Sequence, residues 1–379
     1  MKTPTRTTLR AALLGIGATT LLGLGGGCSG GAKAPLPGPD RANEAPTWFP
    51  RDPVSHAAEP GVSEDLHTLI FPPDGDTLIS ASDSGGIKVW DLRKQGDSAC
   101  VKHFRPAGSR AVALHPDGRT LGVVADIEPA YLIDLDSPAG DDRVESHARG
   151  YLLGMHTGGV ALAFAPDGKA LAALNTRGGL AVWEAAFRGL AKDATLESSW
   201  YESRYELQHG GKGFAFRPDG AVVAVTGKRV ELLDVKTGKV VTTCEESQQA
   251  GRLAFSPDGR TLAAGGSTLR LWNGKTGASE KALPVKGEVI ALAFSPDGKT
   301  IACWCDGHEE KTDNGVEIVG AHIELYDLSR GKVRQSIRGG FSRLGDSIPP
   351  AFAFSRDGGV LATGRAGGRI DFWDVRPKE

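Results

Sequence analysis

The densest set of side chains able to do chemistry lies near residue 305. It runs Cys303-Trp304-Cys305-Asp306-Gly307-His308, then Glu309, Glu310, Asp313 and, further on, His322. Thiols, imidazoles and carboxylates in a C-x-C-x-x-H run suit a tetrahedral zinc ion. A second reading competes. Aligned with an earlier stretch, TIACWCD falls on TLISASD, which puts Cys303 at Ser80, Cys305 at Ser82 and Asp306 at Asp83. Small residues two apart share one face of a β-strand and pack against a neighbour. This packing reading is the stronger, so no metal and no other cofactor is expected. The sequence holds no G-x-S-x-G, H-E-x-x-H or P-loop, and no catalytic residue is assigned.

The elements that position these residues follow from a repeat. One phrase recurs seven times, from FPPDGDTLIS at Phe71 to FSRDGGVLAT at Phe354. Its aspartates are Asp74, Asp117, Asp167, Asp219, Asp258, Asp297 and Asp357, spaced by 43, 50, 52, 39, 39 and 60 residues. Proline presets φ for a type I turn, Asp follows, and Gly supplies the left-handed residue that closes a bulged hairpin. The flanks alternate in polarity, so each phrase is two antiparallel strands and a tight turn. A third strand follows in each unit, as in IKVWDL (Ile87–Leu92), LAVWE (Leu180–Glu184), LRLWN (Leu269–Asn273) and IDFWDV (Ile370–Val375). Each carries a large apolar residue (Trp90, Trp183, Trp272, Trp373) followed directly by a carboxylate or amide (Asp91, Glu184, Asn273, Asp374), suited to accepting backbone N–H groups of the next turn. Turns such as KTGK (Lys236–Lys239) lead to a fourth strand.

LISASDSGGIKVWDL (Leu78–Leu92) resembles the WD-repeat consensus, and the other units match in the turn and the third strand. The resemblance covers about residues 64–379 and implies an all-β, seven-bladed β-propeller of four-stranded antiparallel blades around a central channel. The Gly-His pair that usually precedes the first strand is absent from most units, with His156 a displaced remnant at best. Most of that family's hydrogen-bonded tetrad is therefore missing, and apolar packing must carry more. The last unit stops at its third strand. Residues 47–58, with Trp48 and Phe49, are expected to supply the missing outer strand and close the ring, because an open edge is a liability. Cys100 and Cys244 fall on the outer strands of blades one and four, too far apart to bond, and are expected as free thiols.

The start of the chain differs in kind. Lys2, Arg6 and Arg10 precede a short apolar stretch, Ala11 to Leu24, too short to span a membrane. This describes a secretory signal peptide. Its end, Leu24-Gly25-Gly26-Gly27-Cys28, resembles a bacterial lipoprotein lipobox, with Gly25 where Leu is usual. The resemblance implies a lipid on Cys28. Residues 29–46 read as a disordered Pro/Gly tether, on the order of 50 Å if extended. The domain plan is thus a signal peptide over 1–28, a tether over 29–46 and the propeller over 47–379. The net charge of −2 falls to −5 without residues 1–28, which excludes a basic nucleic-acid surface.

Three insertions interrupt the repeats. Asp306 to Ala321 is expected as a long acidic loop in blade six, a candidate contact for a basic partner through Asp306, His308, Glu309 and Glu310. Ala185 to about Glu206, in blade three, has helical composition over Ala185–Leu196, followed by Trp200 and Tyr201, which are candidate anchors if exposed and rim-packing residues on the favoured reading. Ser137 to Gly150, in blade two, reads as a polar loop. The expected function is a non-enzymatic protein-binding scaffold, monomeric and lipid-anchored at the bacterial cell envelope on the periplasmic side, with unknown protein partners. The alternatives are a propeller enzyme of lactonase or dehydrogenase type, or a small-ligand or glycan binder at the channel mouth.

Overall fold

A computed structural model describes residues 54–55, 66–82, 86–94, 99–104, 109–125, 130–136, 148–152, 159–175, 179–185, 187, 194–196, 198–202, 213–247, 250–312, 315–341, 351–364 and 368–377. The expected leader with Cys28, the expected tether over 29–46, Trp48 and Phe49 lie outside the described residues.

Each recurring phrase forms the turn its residues dictate. All seven glycines, Gly75, Gly118, Gly168, Gly220, Gly259, Gly298 and Gly358, have φ between 68° and 77°. In every turn the glycine N–H donates to the carbonyl three residues back, as in Gly118 to His115 O (2.9 Å) and Gly298 to Ser295 O (2.9 Å). In every turn the Asp Oδ1 accepts the amide N–H two residues on, at 2.8–3.1 Å. The third strands end as expected too. Asp234, Asn273 and Asp327 accept N–H groups of the turns that follow. Arg93 donates to Asp91 at 2.9 and 3.0 Å and holds its carboxyl down at about 2.

Seven antiparallel sheets result. Blade one, for example, runs Leu66–Ile70, Thr77–Ser82, Gly86–Asp91, Cys100–Phe104. The first strands (Leu66–Ile70, Ser109–Leu114, Gly159–Phe164, Phe214–Phe216, Leu253–Phe255, Val289–Phe294 and Phe352–Phe354) contact one another in sequence order, and the last meets the first. They are therefore the inner strands of a closed ring. Blade seven runs Phe352–Phe354, Val360–Gly364, Arg369–Asp374, and its outer strand is Val54–Ser55, with Val54 opposite Ile370 and Ser55 opposite Arg369. The N-terminal segment closes the ring, as the edge argument requires.

The core is divided among the blade interfaces. Seven apolar clusters occupy the seven junctions between neighbouring blades. The closing junction joins Leu66, Leu69, Leu78 and Trp90 of blade one to Ala351, Ala353, Ala362 and Ile370 of blade seven. Six of the seven large third-strand residues (Trp90, Ile133, Trp183, Leu233, Trp272 and Tyr326) are almost fully buried, while Trp373 is half-buried. Two of the third-strand tryptophans are locked by a hydroxyl of the second strand. Trp90 Nε1 donates to Ser80 Oγ (2.8 Å) and Trp373 Nε1 to Thr363 Oγ1 (2.9 Å).

The tight turns also form a ring. A Cβ placed on Gly118 would sit 3.3 Å from Pro73, on Gly168 2.7 Å from His115, and on Gly220 2.7 Å from Asp167. The series continues with Gly259 against Pro218, Gly298 against Pro257 and Gly358 against Pro296. Arg356 completes it by donating to Pro73 O (2.6 Å). Each turn thus leans on the turn of the preceding blade, making a collar on one face of the molecule. In an up-and-down sheet the connections between second and third strands must emerge on the opposite face.

Three expectations need correction. The stretch with helical composition contains a strand, Ala194–Leu196, which adds as a fifth, parallel strand to the outer strand of blade two, Ala148–Leu152. Pairing with an open sheet edge outweighs local helix preference there. Ala148–Gly150 belong to that outer strand, so the polar connection of blade two ends earlier than Gly150. The blade-six insertion is a two-stranded antiparallel ribbon, His308–Thr312 paired with Gly315–Val319, and not a loop.

Candidate functional site

Blade six carries an inserted two-stranded ribbon, and its strands place the chemistry. It runs Val289–Phe294, Thr300–Cys305, Ala321–Asp327, Lys332–Phe341, and the ribbon is inserted between the second and third strands. The ribbon therefore leaves on the face opposite the collar. Cys303 and Cys305 lie in the second strand, as the alignment with Ser80 and Ser82 requires, and both are fully buried. Trp304 points the other way, into the junction with blade seven, while the two cysteines join the junction with blade five.

Register then decides what meets the thiols. Cys303 is opposite Glu324, and Cys305 is opposite His322. Opposed residues in an antiparallel pair share a face. The four side chains accordingly form one block, with Tyr326 next along the third strand. Cys305 Sγ lies 3.9 Å from Glu324 Oε2, and His322 Nε2 lies 3.7 Å from Glu324 Oε1. Tyr326 places its hydroxyl 2.6 Å from Glu324 Oε2 and 2.9 Å from Pro284 O of blade five. His322 Nδ1 is 3.2 Å from Gly320 O. His322 and Glu324 are 2% and 4% exposed, so an ionisable cluster is sealed at the root of the ribbon.

Burial opposes ionisation of Glu324, but the neighbouring His322 and the hydrogen bond from Tyr326 outweigh it and hold the carboxyl below its usual range. Burial, reinforced by the Glu324 charge, pushes the Cys305 thiol and the Tyr326 hydroxyl up. Cys303 is raised for the same leading reason. The resting chemistry is a carboxylate surrounded by donors.

The remaining sequence candidates are dispersed. Asp306 follows Cys305; its N–H donates to Glu288 O (2.8 Å) and its Oδ1 accepts from Gly307 N (2.8 Å). His308, Glu309 and Glu310 lie on the first ribbon strand. Trp200 and Tyr201 are not in a loop: Trp200–Glu202 is the outer strand of blade three, Tyr201 opposite Ala181. Cys100 opens the outer strand of blade one, and Cys244 follows that of blade four; all four described cysteines are free thiols. Glu324 and Tyr326 were not singled out in the sequence. The signal was the alternation His322-x-Glu324-x-Tyr326, which points three polar tips to one face of a strand.

A second polar cluster sits at the ring's centre. His67, on the inner strand of blade one, is 4% exposed. Its Nδ1 is 2.8 Å from Thr68 Oγ1, and its Nε2 is 3.4 Å from Ser109 Oγ of blade two. Ser109 gives its own proton to Ser82 O (3.0 Å), leaving its oxygen to accept from the imidazole. Burial depresses the His67 pKa to about 4.

A ring of seven antiparallel blades closed by a strand from the chain's start defines a β-propeller. The sequence matches the family model for the WD domain, G-beta repeat, over residues 59–91 and 238–273. Those segments span the first three strands of blade one, and the outer strand of blade four through the third strand of blade five. The fold is a seven-bladed β-propeller, and two stretches of it are similar to the WD domain, G-beta repeat. No curated protein matches it.

Proposed function

We propose that this propeller is a protein-binding platform and not an enzyme, exported and held at a bacterial cell envelope by a lipid on Cys28. The ribbon of blade six carries the reading. It forms a sheet of its own on the face away from the collar. Residues 306–321 contain Asp306, Glu309, Glu310, Asp313 and Glu317 against a single Lys311. A strand pair of that composition suits a basic protein surface, with attraction that weakens as salt rises. The anchor reading is supported by the basic start, the apolar stretch and the Cys at the border of a Pro/Gly segment.

The test is affinity capture of the full-length, detergent-extracted protein, with mass spectrometry of what is retained. Beside it run Cys28→Ala and a variant whose residues 306–320 are exchanged for the blade-one connection Asp83–Gly85. A stoichiometric protein that the exchange loses by about tenfold or more is expected. Retention of no protein at all would remove the platform reading. Retention unaffected by the exchange would remove the ribbon from it.

A further inference from the structure

We propose that Cys305, His322 and Glu324 form a binding site for a thiophilic divalent cation of the zinc class, stapling the root of the blade-six ribbon. This site stands whether or not the ribbon binds a partner.

Three features carry it. The donor atoms lie within 4.8 Å of one another, and all three residues are buried. Ligand atoms around tetrahedral zinc are about 3.3–3.8 Å apart, given Zn–S and Zn–N bonds of about 2.3 and 2.0 Å. The contacts of 3.7 Å from His322 to Glu324 and 3.9 Å from Cys305 to Glu324 need only small side-chain rotations to meet that geometry.

The surroundings are those a metal site uses. A ligating histidine is oriented by its second ring nitrogen, which donates to a carbonyl or carboxylate. His322 Nδ1 faces Gly320 O, leaving Nε2 toward the cluster. A ligating carboxylate is steadied by a further donor, and the Tyr326 hydroxyl sits 2.6 Å from Glu324 Oε2. Two of the three ligands flank the ribbon. Cys305 is the last residue of the strand leading into it, and His322 is the second residue of the strand leading out. A cation between them would fix the distance across which the ribbon departs.

Charge balance also fits. On binding, the Cys305 S–H bond breaks, its proton passes to solvent, and the sulfur electron pair forms the metal bond. A dication with one thiolate, one carboxylate and one neutral imidazole is then neutral, which is the condition for burial at low cost. Three protein ligands leave a fourth tetrahedral position. Cys303, on the same strand face and opposite Glu324, is the neighbouring thiol.

The experiment titrates full-length protein, stripped by chelator, with Co2+ and then Zn2+. One Co2+ per chain with a thiolate-to-cobalt charge-transfer band, displaced by Zn2+, is expected. Cys305→Ser should abolish the band and Cys303→Ser should keep it. Tyr326→Phe, which removes the supporting hydroxyl, should weaken binding by about tenfold. The wild-type protein should also gain Tm in the presence of Zn2+. That readout decides the matter even if Cys305→Ser fails to fold. Absence of a stoichiometric ion, or a band that survives in folded Cys305→Ser, would overturn the assignment.

Discussion

Gly274→Ala is expected to destabilise the protein by about 3 kcal/mol, the upper range for overpacking a close-packed site. Gly274 follows the third strand of blade five. A Cβ there would lie 2.3 Å from Gly259 O and 3.2 Å from the carbonyl of Arg260. Both are backbone atoms of the tight turn, and the Gly274 N–H donates to Arg260 O at 2.6 Å. Neither partner can rotate away. Gly259 is itself left-handed and leans on Pro218 of the preceding blade, so the displacement would pass into the collar. In a domain of this size the cost corresponds to a Tm decrease on the order of 5 °C. Gly320→Ala is the control, since nothing lies within 4 Å of its would-be Cβ. Equal Tm values for the two variants, measured by thermal unfolding, would show that the two turns are not in contact.

The second large effect is on pH. His67 is neutral in the folded ring down to about pH 4, whereas an unfolded histidine takes a proton near 6.5. Above 6.5 the ring is neutral in both states and costs nothing. Between 6.5 and 4 the unfolded chain binds the proton and the folded one does not, so stability falls as pH falls and levels off below 4. The His67 contribution to that loss between pH 7.5 and 4.5 is about 2–3 kcal/mol. His67→Gln keeps a hydrogen-bonding side chain and removes the titration. Urea unfolding of both proteins at the two pH values isolates the difference from the carboxylates, which titrate in both. Parallel losses in the two proteins would show that His67 is solvated.

The repeat made the architecture legible because its turn is local chemistry. Pro, Asp and Gly in fixed order dictate a φ-positive hairpin wherever they occur, and all seven do so. The apolar third-strand column told which residue plugs each junction, from Trp90 to Tyr326. Closure was readable for a different reason: a blade ending at Val375 leaves an edge that something must cover, and the preceding segment was at hand. The misreadings lie in the insertions. Ala194–Leu196 looked helical because its partner edge, on another blade, cannot be seen from its own residues. Where the outer strand of blade three resumes, at Trp200–Glu202, was also hidden by the insertion before it. The block at blade six was half visible. Cys303 and Cys305 were placed by alignment, but Glu324 and His322 come opposite them only once the ribbon between is looped out and the register set.

Closure of the ring by Val54–Ser55 underlies everything else, because it supplies the outer strand of the seventh blade. Ser55 and Arg369 face each other across that pair. Directly opposed residues have Cα atoms about 4.5–5.5 Å apart, within reach of a disulfide. The most direct measurement is therefore oxidation of Ser55→Cys/Arg369→Cys, with peptide mapping and unfolding in the presence and absence of reductant. A linked peptide joining positions 55 and 369, with stability raised by up to about 5 kcal/mol in the oxidised form, is the predicted result. Two free thiols under the same oxidant, with no gain in stability, would contradict the closed ring.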